Sequence, residues 1–211
     1  MRGLIYKECS LFLKSIGKKE AALVTVLAVL LFVRTGPAAG LFMSVLFAMA
    51  VGIQHVLEFS ADEQHNWKSY QMIMPVTGRQ VVMSKYVSVL LTLVISIVIS
   101  LILSLVSFLR FGSFDAALFY LTVLLAAVIP LIWTSFLLPV IYWFGFRYAQ
   151  YAGLILVIPN VHFLNYLEDG SGITDFAKIS GINLFFIFGI LILIFGISYF
   201  ISLLGYSRKR K

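Results

Sequence analysis

Long stretches without a charged residue constrain the fold of this chain more than any other feature. Most of them reach the ~20 residues that an α-helix needs to cross ~30 Å of hydrocarbon. They are continuously apolar rather than alternating, which excludes a transmembrane barrel. We therefore predict an all-α integral membrane protein with about six transmembrane helices, at residues 21–33, 35–57, 86–109, 116–146, 148–167 and 179–207.

The composition of the chain supports insertion of most of its length into a membrane. Of its 211 residues, 61% are hydrophobic and only 12% are charged, which is too few charges for the surface of a soluble domain of this size. We interpret residues 1–211 as a single transmembrane domain. The single cysteine, Cys9, excludes an internal disulfide and a multi-cysteine metal site.

Two of the predicted spans have unusual lengths. The first, at residues 21–33, is too short to cross the membrane alone. We expect the helix to include some of the preceding residues, whose lysine side chains can reach the membrane surface. The fourth, at residues 116–146, is longer than required. Because Pro139 lacks a backbone N–H and an aromatic run follows it, we expect this span to end near Leu138.

The basic residues fall almost entirely on one side of the predicted topology. Of the 16 lysines and arginines, all but Arg34, Arg110 and Lys178 lie in the N-terminal region, the 58–85 connection, the loop at Arg147 or the C-terminal tail. Because cytoplasmic loops carry an excess of Lys and Arg, that side is predicted to be cytoplasmic. We therefore predict a multi-pass protein of the cell membrane with both termini in the cytoplasm.

Residues 1–20 have the pattern of an amphipathic helix. Apolar side chains recur at helical spacing, while basic and polar ones occupy the other positions. The apolar set is Met1, Leu4, Ile5, Cys9, Phe12, Leu13 and Ile16. We predict a helix in the cytoplasmic interface; the alternative is a positively charged flank of the first span.

The largest polar segment is residues 58–85, on the predicted cytoplasmic side. Ser60 and Glu63 have the spacing of a capping box, which predicts that a short helix begins there. Trp67 and Tyr70 then fall on one face of that helix, and a proline ends it. The segment is either a solvated loop or a docking helix, with an aromatic anchor, for a cytoplasmic partner.

The same segment resembles a signature of small ABC-2 type permeases. The residues that carry the resemblance are Glu63, Trp67, Tyr70, Met74, Pro75, Val76, Arg79, Val82, Ser84, Lys85 and Tyr86, with the opening run Leu4, Ile5, Tyr6, Lys7 and Glu8. The number of predicted spans and the chain length also match, so the resemblance covers the whole chain. Within this family, the chain resembles the membrane subunits of the phenol-soluble modulin exporter type.

The resemblance implies a set of partners. Such permeases pair two membrane subunits, identical or paralogous, with two cytoplasmic ATP-binding subunits, and the connection between spans 2 and 3 forms a coupling helix that fits a cleft in the ATPase. Carried onto this chain, the contact or shaping residues are Glu63, Trp67, Tyr70, Pro75 and Arg79. The chain is then a permease subunit rather than an enzyme and binds no cofactor, because ATP and Mg²⁺ belong to the partner.

The second span carries small residues at every fourth position. They are Gly36, Gly40, Ser44, Ala48 and Gly52. This interval lets two helix backbones approach closely in lipid. We therefore predict a packing face, which could lie within one subunit or across a dimer.

The third span carries a row of hydroxyl side chains at the same interval, which includes Ser96, Ser100 and Ser104. In hydrocarbon such hydroxyls can bond to carbonyl groups of their own helix, so no special role is required. The alternative is a weakly polar lining of a translocation cavity, or hydrogen bonding between helices.

The sequence lacks the common catalytic motifs. It has no Walker A pattern, no His-Glu-x-x-His zinc helix and no Gly-x-Ser-x-Gly elbow. Two competing hypotheses stay open. An intramembrane metal-dependent enzyme would use His55, Glu58 and His65. A membrane scaffold would recruit a cytoplasmic partner without transport. The predicted spans contain no buried charge pair, which argues against an ion-coupled transporter.

The predicted lining also bears on the cargo. Two copies facing each other would enclose an apolar cavity with scattered hydroxyls, which suits amphipathic or hydrophobic molecules better than ions or sugars. The resemblance narrows this expectation to export of short amphipathic peptides, with a homodimer as the simplest assembly. Lipids, drugs, and antimicrobial peptides removed in self-protection stay open as alternatives.

Overall fold

A computed structural model describes residues 2–15, 26, 30, 38–64, 67, 71, 73, 76–112, 115–168 and 181–210. These residues form six α-helices and no strand: α1 Arg2–Ser15, α2 Ala39–Gln64, α3 Gly78–Phe111, α4 Ala116–Phe144, α5 Phe146–Glu168 and α6 Gly181–Arg210. The predicted all-α fold is therefore confirmed for the described part of the chain.

Four segments of these helices are long and apolar enough to cross a membrane. They are Ala39–Ser60, Gly78–Phe111, Leu118–Phe144 and Phe186–Arg208. They correspond to the predicted second, third, fourth and sixth spans. The predicted first span lies outside the described residues except at positions 26 and 30. α5 covers the predicted fifth span as a helix but is not one of the four, so the count of six spans stays a prediction.

The predicted helix start at Ser60 is wrong. α2 continues without interruption from Ala39 to Gln64, because no proline or glycine near Ser60 interrupts its backbone hydrogen bonds. A capping sequence starts a helix only where the residues before it are not helical. The capping box that the structure contains lies at the start of α3. There the Thr77 N–H donates to Gln80 Oε1 (3.0 Å), and the Gln80 N–H donates to Thr77 Oγ1 (3.4 Å).

The predicted end of the fourth span near Leu138 is also wrong. α4 includes both Pro130 and Pro139 and ends only at Phe144. Each proline removes one backbone hydrogen bond, but α4 is the central helix and packs against α2, α3, α5 and α6. Neighbouring helices tolerate such interruptions in a membrane protein by supplying contacts around them. The helix stops at Gly145, whose φ of 102° departs from helical geometry.

α2 and α3 pack closely as an antiparallel pair. Gly40 of α2 lies against Ser104 of α3, and a Cβ atom added at Gly40 would come 2.9 Å from the Ser104 Cα. Further along α2, Gly52 lies against Trp133 of α4, where an added Cβ would come 3.0 Å from the Trp133 Cβ. These two glycines of the predicted small-residue row thus face helices of the same protomer. Ser44 and Ala48 are also buried, and Gly36 lies outside the described residues.

One end of the bundle gathers α1, the α2–α3 connection, the α4–α5 turn and the end of α6. The Tyr206 hydroxyl of α6 donates to Gln71 Oε1 of the connection (3.1 Å). The Trp143 indole N–H of α4 donates to the Ile201 carbonyl of α6 (2.9 Å). These are the parts of the chain for which the charge distribution predicts a cytoplasmic position.

The close approach at Gly40 generates a stability prediction. Gly40→Ala should destabilise the protein by about 1–3 kcal/mol, because the new methyl group overlaps the α3 backbone. Gly189→Ala is the matched control: an added Cβ there meets nothing within 4 Å, so it should be neutral or stabilising. Thermal unfolding in detergent gives the comparison, and equal melting temperatures for the two variants would contradict the close packing.

Candidate functional site: the α1–α2–α3 ionic cluster

The structure places three of the five predicted coupling residues around the α2–α3 connection. Glu63 is exposed at the end of α2, and Arg79 is exposed in the first turn of α3. Trp67 is only partly exposed. Tyr70 and Pro75 lie outside the described residues. Between Trp67 and Arg79, the Ile73 side chain is 84% exposed.

A cluster of ionised side chains lies directly beside this connection, and Lys85 is at its centre. The Lys85 ammonium group forms ion pairs with Glu8 of α1 and with Glu58 and Asp62 of α2. The Nζ–oxygen distance is 3.2 Å to Glu58 and 3.4 Å to Asp62. The Lys85 side chain is 5% exposed and that of Glu58 is fully buried. We call these four residues, with Lys7, the ionic cluster.

Helical spacing explains how α2 contributes two carboxylates. Glu58 and Asp62 are four residues apart, and side chains at this interval lie on the same face of a helix, one turn apart. Uninterrupted continuation of α2 beyond Ser60 is what keeps them in that relation. A helix that began afresh at Ser60 would separate the two carboxylates.

Lys7 connects the ionic cluster to the connection itself. Its Nζ pairs with Asp62 and lies 3.2 Å from Glu8 Oε1. The same ammonium group lies 4.3 Å from the centre of the Trp67 ring, within range of a cation–π interaction. The adjacent residues Lys7 and Glu8 therefore attach α1 to α2, α3 and Trp67.

His55 extends the polar contacts along α2. His55 Nε2 lies 2.6 Å from the Thr92 hydroxyl, which is also 3.0 Å from the Val89 carbonyl of its own helix. His55 Nδ1 lies 3.5 Å from Glu58 Oε1, an ion pair only when the imidazole is protonated. The ring stacks on Phe12 of α1. No group of three potential metal ligands occurs among the described residues, and His65 lies outside them.

The expectation that the spans contain no buried charge pair is wrong. The segments Ala39–Ser60 and Gly78–Phe111 include Glu58 and Lys85, which pair with each other at a buried position. Sequence reasoning missed this because it ended each span at the nearest charge. The sequence did contain a signal for this pair. Glu58 follows the second predicted span and Lys85 precedes the third, so one acidic and one basic residue lie at the two ends of a single connection.

The hydroxyl row of α3 lies in the interior of the protomer. Ser96 and Ser100 are fully buried and Ser104 nearly so, and Gly40 of α2 covers Ser104. The Oγ atoms of Ser96 and Ser100 have no hydrogen-bond partner among the described residues. In this structure the three serines therefore lie between helices rather than on a surface open to lipid or water.

A second buried contact, which sequence reasoning missed, joins α3 to α6. The Tyr86 hydroxyl lies 2.7 Å from Ser198 Oγ and 2.8 Å from Ser202 Oγ. Phe195 and Tyr199 of α6 pack edge-on against the Tyr86 ring. Two serines four residues apart on an otherwise apolar helix were the signal for this contact.

Comparison with known protein families gives one match. The model of the family described as "ABC-2 family transporter protein" matches residues 3–207, a range that includes the ionic cluster and nearly the full extent of the six helices. No curated protein and no solved structure matches the chain.

The ionic cluster generates a prediction about stability. Lys85→Ala leaves three carboxylates around the position of the lost ammonium group and should destabilise the protein by about 3–5 kcal/mol, as removal of one partner from a buried ion pair does. Lys85→Arg keeps the charge and should lose less. The exposed residue Arg79 of the same helix supplies the control, because Arg79→Ala should change stability by less than about 0.5 kcal/mol. Thermal unfolding of the four proteins in one detergent tests this, and it fails if Lys85→Ala and Arg79→Ala melt together.

Proposed function

Because the chain belongs to the ABC-2 transporter family, we propose that it is the membrane-spanning permease subunit of an ATP-driven exporter. The family match over residues 3–207 carries this proposal. The four apolar helices agree with it, since together with the family they identify a multi-pass membrane protein. The chain would act as one transmembrane domain in the cell membrane, with both termini in the cytoplasm.

ATP hydrolysis belongs to a separate cytoplasmic subunit in this proposal. The closest approach to a phosphate-binding loop in the sequence is Gly17-Lys18-Lys19, which lacks the upstream glycine and the following hydroxyl residue. ATP and Mg²⁺ would bind to the partner, and this chain would bind the partner's surface.

The α2–α3 connection is the proposed docking surface for that ATPase. Glu63 and Arg79 are exposed at its two ends, and Ile73 is exposed between them. Charged residues at the rim with an apolar side chain between them are typical of a protein interface. Trp67 lies between them and is partly exposed, so its indole can contact the partner while Lys7 contacts the ring from within the chain. The ionic cluster behind the connection would pass a displacement of this segment to α1, α2 and α3.

The cargo proposed for the exporter is a short amphipathic peptide, as in the modulin exporter group that the chain resembles. The basis is physical as well as comparative. The exposed face of α3 is dominated by large aliphatic residues, so two copies that face each other across it would offer few charged partners to an ion or a sugar. A homodimer is the simplest assembly that supplies two such faces.

The docking proposal predicts a loss of assembly in Trp67→Ala. Loss of an aromatic anchor costs about 2 kcal/mol or more at an interface, which is roughly a 30-fold weaker complex. Lys7→Gln is the matched control, because it removes the contact of Trp67 within the chain but leaves the indole in place. We expect co-purification of the ATPase to fall in Trp67→Ala and to persist in Lys7→Gln. An unchanged yield of complex from Trp67→Ala would contradict docking at this segment.

The cargo proposal predicts stimulation of ATP hydrolysis by peptides. The reconstituted complex of permease and ATPase should hydrolyse ATP faster with an amphipathic helical peptide than with a scrambled peptide of the same composition or with a sugar. Cells without the gene should secrete less of such a peptide. Stimulation by the sugar alone, or undiminished secretion after deletion, would reject peptide cargo while leaving the permease assignment to the assembly experiment.

A further inference from the structure

A basic surface without nearby acidic sequence neighbours surrounds the turn between α4 and α5. Arg147 is exposed two residues after Gly145, where the chain turns. Arg208 of α6 is also exposed, and its guanidinium lies 5.7 Å from the centre of the Trp143 ring, two residues before Gly145. We call Trp143, Phe144, Arg147, Tyr148 and Arg208 the turn patch.

The turn patch has no acidic residue close to it in the sequence of α4, α5 or α6. Residues 116–167 and 176–211 contain no aspartate or glutamate, and the sequence after Arg208 continues with Lys209, Arg210 and Lys211. At the same end of the described bundle, Glu8, Glu58 and Asp62 are paired with lysines, and Glu63 is exposed at the end of α2. The turn patch therefore offers its positive charge to a ligand from outside the chain.

Exposed apolar side chains lead to the turn patch along two helices. On α6, Ile197, Phe200 and Leu204 are exposed at steps of three and four residues, and the next residue on that face is Arg208. On α5, the exposed row after Arg147 is Tyr148, Tyr151, Ile155 and Ile158. Each row is an apolar stripe that ends in an arginine.

Trp143 fixes the geometry of the turn patch. Its indole N–H donates to the Ile201 carbonyl, and a Cβ atom added at Gly205 would come 2.5 Å from the ring. The ring therefore lies directly on the α6 backbone and holds Arg208 at the end of the apolar stripe. Phe144 and Tyr148, which contact each other across the turn, are exposed beside it, as aromatic residues at the headgroup level of a membrane are.

We propose that the turn patch binds the headgroup of an anionic phospholipid. Each of the exposed guanidinium groups of Arg147 and Arg208 can donate two parallel hydrogen bonds to a phosphate. The acyl chains of a lipid held at either arginine lie along the apolar stripe of the same helix. A free phosphate would use the arginines alone, whereas the stripes fit a ligand that has both a phosphate and long hydrocarbon chains.

The test is a lipid competition with the full-length protein. Delipidated protein in detergent receives equal amounts of phosphatidylglycerol and phosphatidylcholine with identical acyl chains, and native mass spectrometry counts the bound lipids. The wild type should retain phosphatidylglycerol preferentially. Each basic residue near an anionic surface contributes roughly a five-fold factor in binding, so Arg147→Gln with Arg208→Gln should lower phosphatidylglycerol binding by more than about ten-fold and leave phosphatidylcholine binding unchanged.

Arg110→Gln is the matched control, because Arg110 is an exposed arginine at the end of α3 and should not alter the lipid preference. Thermal unfolding verifies that the double variant is folded, and Arg147→Lys with Arg208→Lys, which keeps both charges, should retain part of the preference.

Equal retention of the two lipids by the wild type, or an equal loss in Arg110→Gln, would overturn the proposal. Displacement of phosphatidylglycerol by millimolar inorganic phosphate would identify an anion site rather than a lipid site. Loss of ATPase co-purification in the double variant with unchanged lipid binding would identify a protein-docking surface instead.

Discussion

The ion pairs of Lys85 are the interaction on which the described end of the bundle depends. One ammonium group meets carboxylates from α1 and α2 while it projects from the third helix, α3. Removing an ion from water costs several kcal/mol, and only close pairing with further contacts compensates for that cost. Glu8, Glu58 and Lys85 are almost completely buried, so each of them requires the others. The position of α1 on the bundle is thereby set by charge as well as by the burial of Leu4 and Phe12.

The amphipathic pattern of the N-terminal residues has a different meaning in this arrangement. Leu4, Glu8 and Phe12 are all buried and follow each other at intervals of four residues. They form one stripe of α1 that packs on α2 and α3, with a charged residue in its middle. Sequence reasoning grouped Leu4 and Phe12 as membrane-facing and placed no constraint on Glu8. A charged residue inside an apolar stripe is the sign of a partner charge on the helix it packs against.

Sequence reasoning recovered the features of the fold that depend on local pattern. The long apolar runs fixed α2, α3, α4 and α6, because length and hydropathy alone determine whether a helix can span a membrane. Helix boundaries were less predictable, because Ser60 and Pro139 both carry local signals of a boundary and the helix continues in both places. No helix-breaking residue interrupts α2 at Ser60, and neighbouring helices surround Pro139 of α4. The contacts between distant residues could not be derived, since Glu8 and Lys85, or Tyr86 and Ser198, are brought together only by tertiary packing. Lys85 was noted as part of a family signature, but a signature does not indicate which residues pair.

Two consecutive residues of α3 bind different parts of the molecule. Lys85 pairs with α1 and α2, whereas the Tyr86 hydroxyl contacts Ser198 and Ser202 of α6. Adjacent residues on a helix point about 100° apart, because 3.6 residues complete one turn, so the start of α3 is attached on two sides at the same height. The capping box at Thr77 marks the point where the α2–α3 connection ends and α3 begins. A force on the connection therefore cannot tilt α3 without straining its contacts to α1, α2 and α6 together. Either those helices move with α3, or the buried polar contacts break. Broken polar contacts find no replacement partners in lipid.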